Sequence, residues 1–173
     1  MLGPYRRTYI EFTKSEHLHG GKGWEFGTCL WIPSRDRGGH DAYALMREPS
    51  AGDQVIHFYN DKWSDGITDT RICGKSIVAA GYKEIQEEPP SSGEWSGMAP
   101  YYRINIEDYI TFPRALPLSI FLNHYGQDIE EDLERNQPKY YPFSVQEGRV
   151  RTNQGMYLSK CTPRLYSIIR AAM

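Results

Sequence analysis

Turn-forming residues punctuate this chain so densely that its regular elements must be short. Its 173 residues include 16 Gly and 11 Pro, spread along the whole length. Between these breaks the pattern is that of strands. Tyr9 to Thr13 alternates and reads as a first strand. Gly52-Asp53 signals a turn, after which Val55, His57 and Tyr59 alternate with Ile56 and Phe58. Arg71 to Ala80 reads as a further strand, with Gly74 inside it marking a bulge or the close approach of another group to the backbone. Tyr101 to Ile106 reads as another. Trp24 to Pro33 is expected to be extended and partly buried. Asp41 can cap a short helix over Ala42 to Glu48, which Pro49 stops. Glu16 to Gly23, Ser34 to His40, Asp61 to Gly66 and Glu87 to Pro100 are loops, and the last two carry Trp63 and Trp95.

The C-terminal third has a different period. Pro117 suits the first turn of a helix. Leu118, Phe121, Leu122, Tyr125, Ile129 and Leu133 then follow helical spacing. Tyr141 to Val150 is expected to be extended. Thr162-Pro163 is a cap followed by a first-turn residue, and Leu165, Ile168, Ile169 and Ala172 form one apolar face of a last helix. The pattern predicts an α+β chain, mostly a twisted β-sheet or open barrel with helices packed outside. Residues 1–116 would form its core and residues 117–173 a helical extension packed on that core.

Charge and cysteine content narrow the function classes. Net charge is -2 and the pI about 6.2, so a strongly basic whole-domain field does not drive binding to duplex. The charge is segregated along the chain: Asp128 to Glu134 is acidic, whereas Lys139 to Arg170 holds six basic residues against Glu147. The basic end is either a phosphate-facing surface or an ordinary solvated one. Cys29, Cys73 and Cys161 are odd in number and widely spaced, which argues against a disulfide framework or a structural zinc and suits a reducing cytoplasm. No apolar run approaches the roughly 20 residues that span a membrane, and the N-terminal residues lack a signal-peptide core.

Enzyme signatures are absent: no P-loop, GxSxG or HExxH occurs. His17 and His19 stand in a loop without a completing metal ligand, and no cofactor is expected. The aromatic residues are the stronger lead, at 13% of the chain. A pocket for a base taken out of its stack needs π-faces on either side of a flat ring and a few polar groups on its edge. Stacking gives roughly 1–3 kcal/mol per base. One added methyl is worth only about 1 kcal/mol, so it must be sensed by a tight apolar wall. Trp24, Trp31, Trp63 and Trp95 are spread over strands and loops, where each serves either as such a wall or as core.

The run GWEFGTCLWIPSRDRGGHDAYALMREPSAGDQVIHFYN, followed by RICGKSIVAAGY, the loop tryptophan and APYYRINIEDYITF, resembles EVE domains of the PUA-like superfamily. It is similar to the versions found in prokaryotic modification-dependent restriction systems. The resemblance covers most of residues 9–116, and NQGMYLSKCTPRLYSIIR is similar to a C-terminal addition in such chains. It implies a PUA-like (EVE/YTH) fold and a base-binding cage. Trp31 would be one cage wall and Trp95 another. His57 or Tyr59 would lie on the pocket floor, and Ser76 or its backbone would read a base edge. Trp24 is either a third wall or core, and Trp63 would be a loop or rim residue. Lys22, Arg35, Arg37 and Lys75 would be phosphate contacts or exposed charges.

The function this implies is non-catalytic recognition of a modified, for example methylated, base flipped from double-stranded DNA. The reader would direct a nuclease domain or subunit, as in defence against phage. Three alternatives stand beside it: an RNA modified-base reader of the same fold, a small hydrolase using Cys29 or His57, and a protein-interaction domain.

Overall fold

The computed structural model describes residues 6–15 and 20–173; His17 and His19 lie outside them. Nine strands and two helices are named below among the described residues. The strands are β1 (Thr8–Lys14), β2 (Cys29–Pro33), β3 (Gln54–Lys62), β4 (Thr68–Val78), β5 (Lys83–Ile85), β6 (Tyr101–Pro117), β7 (Phe143–Gln146), β8 (Arg149–Thr152) and β9 (Leu158–Cys161). The helices are α1 (Leu118–Asn136) and α2 (Pro163–Ala172).

Seven strands form one curled mixed sheet in the order β2-β6-β4-β3-β1-β9, with β5 also on β6. β1 and β3 run parallel, and the other pairs are antiparallel. β6 turns the corner of this half-barrel. Its first residues pair with β2 and β5, and its later ones with β4 across two register shifts. Only its opening was expected as a strand. Beyond Ile106 its side chains are largely solvent-facing and show no clean alternation, so the pairing partner, not the pattern, keeps it extended.

The concave face holds one core of Tyr9, Leu30, Ile32, Val55, Val78, Ile104 and their neighbours. The opposite face packs Ile10, Ile56, Phe58 and Ile72 against the helices. All six apolar positions expected on α1, and all four on α2, join that second core. The cap of α2 is also as expected: Pro163 opens the helix and the Thr162 hydroxyl accepts from the Leu165 N–H at 3.0 Å. The same hydroxyl donates to buried Asp132 of α1 at 2.6 Å, which pins the two helices together.

Three expectations need correction. Trp24 to Thr28 is not extended, because the Thr28 N–H and hydroxyl both close back on the Glu25 carbonyl, at 3.1 and 2.6 Å. Gly27 completes that turn at φ +84°, with the Tyr109 ring close above it. Residues 42–48 form only a short 3-10 turn, Ala44–Arg47. The stretch after residue 117 contains more than helices. It also supplies β9, which lies beside β1 in the main sheet, whereas the β7–β8 hairpin falls largely within the stretch from Tyr141 that was expected to be extended. Gly74 does mark a close approach: a Cβ there would stand 2.7 Å from both the Ile110 carbonyl and the Tyr109 hydroxyl.

Candidate nucleic-acid interface

The aromatic residues singled out above divide into two groups. Trp31 lies mid-strand on β2, 1% exposed. It meets Trp24 edge-on at 6.1 Å and Tyr101 at 6.0 Å. The Arg103 guanidinium lies 4.4 Å from the Trp24 ring and covers it. Alternation explains the placement: Leu30 and Ile32 point into the concave core, so Cys29 and Trp31 point the other way, into a small second cluster with Trp24 and Tyr101.

Trp95 is placed differently. It ends a 3-10 turn (Gly93–Trp95) in the long loop before β6 and is half-buried. Its ring meets Tyr43 edge-on at 6.2 Å, and the Arg37 guanidinium lies 5.8 Å from it. Trp95 and Tyr43 wall a cavity of about 490 Å³, large enough for a small-molecule site, at the C-terminal end of β1. Phe12, Thr13, Lys14, Ile32, Phe58 and Asn60 also line it, as do residues 152–157, the connection that leads into β9.

Below the cavity runs a buried polar chain. Tyr157 lines the cavity, and its hydroxyl donates to Glu11 at 2.7 Å while accepting from the Trp31 N–H at 3.0 Å. The other Glu11 oxygen is 3.1 Å from His57 Nδ1, and His57 Nε2 is 2.6 Å from Ser76 Oγ. Glu11, His57 and Ser76 are 2%, 0% and 1% exposed. Ser76–His57–Glu11 thus has the order of a nucleophile–base–acid triad. None of the three lines the cavity, and a hydroxyl that substrate does not reach cannot attack. The physical role is mutual satisfaction of polar groups that would otherwise be costly to bury. Burial, with the Glu11 carboxylate close by, raises the Tyr157 phenol well above its ordinary range. The Cys29 thiol is likewise pushed up to about 11 by burial, the opposite of an activated nucleophile.

Phe26 closes this region from above. It stacks on Tyr59 at 4.2 Å and meets His57 edge-on at 5.3 Å. Trp63 stands edge-on to Tyr59 at 6.2 Å.

Of the residues expected in the cage, Trp95 lines the cavity. Trp31, Trp24, His57, Tyr59 and Ser76 sit in the packed interior beside or below it. Of the expected phosphate contacts, Arg37 lies against Trp95, donating to the Glu94 carbonyl at 3.2 Å and 3.6 Å from the Glu94 carboxylate. Arg35 and Lys22 are exposed on neighbouring loops. Lys75 shares a sheet face with Ile56, opposite Ser76, and does not line the cavity. The basic C-terminal stretch is partly neutralised by pairs of Lys160 with Glu48, Arg164 with Asp128 and Arg151 with Glu147. Sequence reasoning missed Tyr43, Lys14, Glu94 and the 152–157 wall. Tyr43 carried a weak signal, an aromatic at the start of a short turn that has no side-chain cap, Asp41 pairing with Arg47 instead, and the others carried none.

No group of three or more potential metal ligands occurs among the described residues, and no helix among them is long and apolar enough to cross a membrane.

No family model matches the sequence, and no curated protein is similar to it. Solved structures do match over nearly the whole chain. Human THYN1, in complex with 5-methylcytosine-containing DNA, superposes with a TM-score of 0.58 at 10% identity, covering 96% of both chains. A Pseudomonas putida protein gives 0.56 at 16% identity, covering 95% of this chain and 97% of its own. The N-terminal domain of Staphylothermus marinus McrB gives 0.51 at 12% identity, covering 98% of this chain and 96% of its own. The curled mixed sheet with its two helices is therefore an α+β fold of the PUA-like type.

Proposed function

We propose that this chain is a non-catalytic reader that holds a modified DNA base in the cavity walled by Trp95 and Tyr43. The observation that carries the reading is the cavity itself: an opening of about 490 Å³ with an aromatic wall on a long loop and polar groups around it. An extruded base can stack on such a wall and be read by such groups. Two of the fold's relatives support it, since one is a complex with 5-methylcytosine-containing DNA and the other belongs to McrB. Trp95 supplies the stacking face, with Tyr43 across its edge. Trp31 and Trp24 back the wall from the interior, and the Tyr157–Glu11–His57–Ser76 chain fixes the floor. Lys14, Arg37, Arg35 and Lys22 take the phosphates around the mouth, and the bound chain directs a nuclease partner to modified DNA.

Binding of matched duplexes at fixed salt tests this. The duplexes are unmodified or carry 5-methylcytosine, 5-hydroxymethylcytosine or N6-methyladenine, with Trp95→Ala alongside. Preference for one modification, lost in the variant and weakened by added salt, is the expected outcome. Equal binding to all, unchanged by Trp95→Ala, would remove the cavity as the site. Stronger binding to modified RNA would move the reading to an RNA reader.

A further inference from the structure

A cavity that senses a methyl group on a pyrimidine faces a competitor in every DNA: thymine carries the same methyl at the same ring position as 5-methylcytosine. Shape cannot separate the two. They differ on the polar edge, where cytosine presents a 4-amino donor and thymine a 4-carbonyl acceptor. A reader therefore depends on what its wall offers there.

Two side chains of this wall offer acceptors. Asn153 lines the cavity, and its amide nitrogen donates to the Tyr141 carbonyl at 2.8 Å. A main-chain carbonyl has no proton to give, so this contact fixes which end of the amide is the nitrogen and leaves the Asn153 Oδ1 with both lone pairs to accept, beside the second amide hydrogen. Glu94 also lines the cavity, and a carboxylate group offers only acceptors. Its partner Arg37 is long at 3.6 Å, and the two side chains are 39% and 65% exposed. Such a pair is weak and readily exchanged for another donor. Glu94 belongs to the turn that presents Trp95, so the stacking face and this acceptor move as one unit.

Resting on the reading of this cavity as a base site, we propose that Glu94 and Asn153 form an acceptor edge that selects bases bearing an exocyclic amino group and rejects thymine and uracil. The amino hydrogen of the bound base donates to this edge. A 4-carbonyl in the same place sets oxygen against oxygen and leaves the wall unpaired, the situation that gives polar sites their largest discrimination.

The test uses four short single-stranded oligodeoxynucleotides, identical except for one central cytosine, 5-methylcytosine, thymine or uracil, so that pairing energy drops out. Affinity is read by fluorescence anisotropy at fixed salt on the full chain, on Glu94→Gln and on Asn153→Ala, each checked for folding by thermal melting. The expected result is that 5-methylcytosine binds about tenfold or more tightly than thymine. Cytosine exceeds uracil by a similar factor, and Glu94→Gln shrinks both ratios while leaving the methyl preference in place. Thymine bound as well as 5-methylcytosine, with both lost in Trp95→Ala, overturns the acceptor edge and leaves the base site standing. So does an amino preference that neither variant changes. Absence of binding to all four by folded protein overturns the base site and the acceptor edge with it.

Discussion

Trp31 and Trp95 are the same side chain put to opposite uses. Trp31 is held mid-strand, with Trp24 and Tyr101 against it and a tyrosine hydroxyl on its backbone N–H. Trp95 stands on a short turn, with Tyr43 at its edge and a cavity in front. The first is enclosed and has no face left to offer, although its indole N–H finds no partner. The second is supported from behind and open in front, which is the arrangement a stacking platform requires. Aromatic content alone says nothing about this; whether the residue sits on a paired strand or on a loop decides it.

That contrast is open to experiment. Trp31→Ala should be the most damaging single change, because it empties a closed cluster. A loss of about 3–5 kcal/mol in denaturant unfolding is expected; a near-neutral result would mean that Trp31 is not a core residue. Trp95→Ala should cost about 1 kcal/mol of stability or less, yet weaken binding of the modified base by about 1–3 kcal/mol. Isothermal titration beside a melting curve separates the two quantities, and equal losses in both would erase the distinction drawn here. Ser76→Ala leaves His57 Nε2 without its partner in the interior, and about 1–3 kcal/mol of stability should go. Because Ser76 lies below the floor, base affinity measured on the folded fraction should hardly change.

The smallest effect is a pH trend. Tyr9 is raised from 10.0 to about 12 by burial, and Tyr157 well above its ordinary value by burial beside Glu11. A phenol whose folded pKa is raised contributes stability that is intact below its unfolded value and is lost as pH climbs towards the folded one. Unfolding midpoints should therefore decline between about pH 10 and pH 12, and more gently in Tyr157→Phe. A flat profile there would show that these hydroxyls are not shielded from water.

Much of this architecture could be read from residue order. Strong local signals survived: the alternation of Val55 to Tyr59, the helical spacing from Leu118 to Leu133, and Thr162-Pro163 opening the last helix. Gly74 was informative because only a missing side chain admits Tyr109 so near the backbone. Other parts depend on partners distant in sequence. β9 is four residues long with no pattern of its own and is a strand because β1 lies beside it. β6 continues to Pro117 because β4 holds it. The site divides the same way. Trp95 was visible as a costly residue in a polar loop, whereas Asn153 and Tyr157 reach the cavity through a connection more than a hundred residues from β1. His57 and Ser76 were visible as polar residues in strands, but their work is to satisfy one another, which spacing cannot show.

The place of β1 has a consequence for how the protein is made. This strand spans the eighth to fourteenth residues of the sequence, yet one of its two neighbours is β9, at residues 158–161. During synthesis its outer edge stays bare until residues 158–161 have emerged, and a bare edge invites pairing with other chains. The cavity wall at 152–157 arrives on the ribosome at the same late moment. A nascent or truncated chain thus carries the aromatic loop without the groove that gives it meaning.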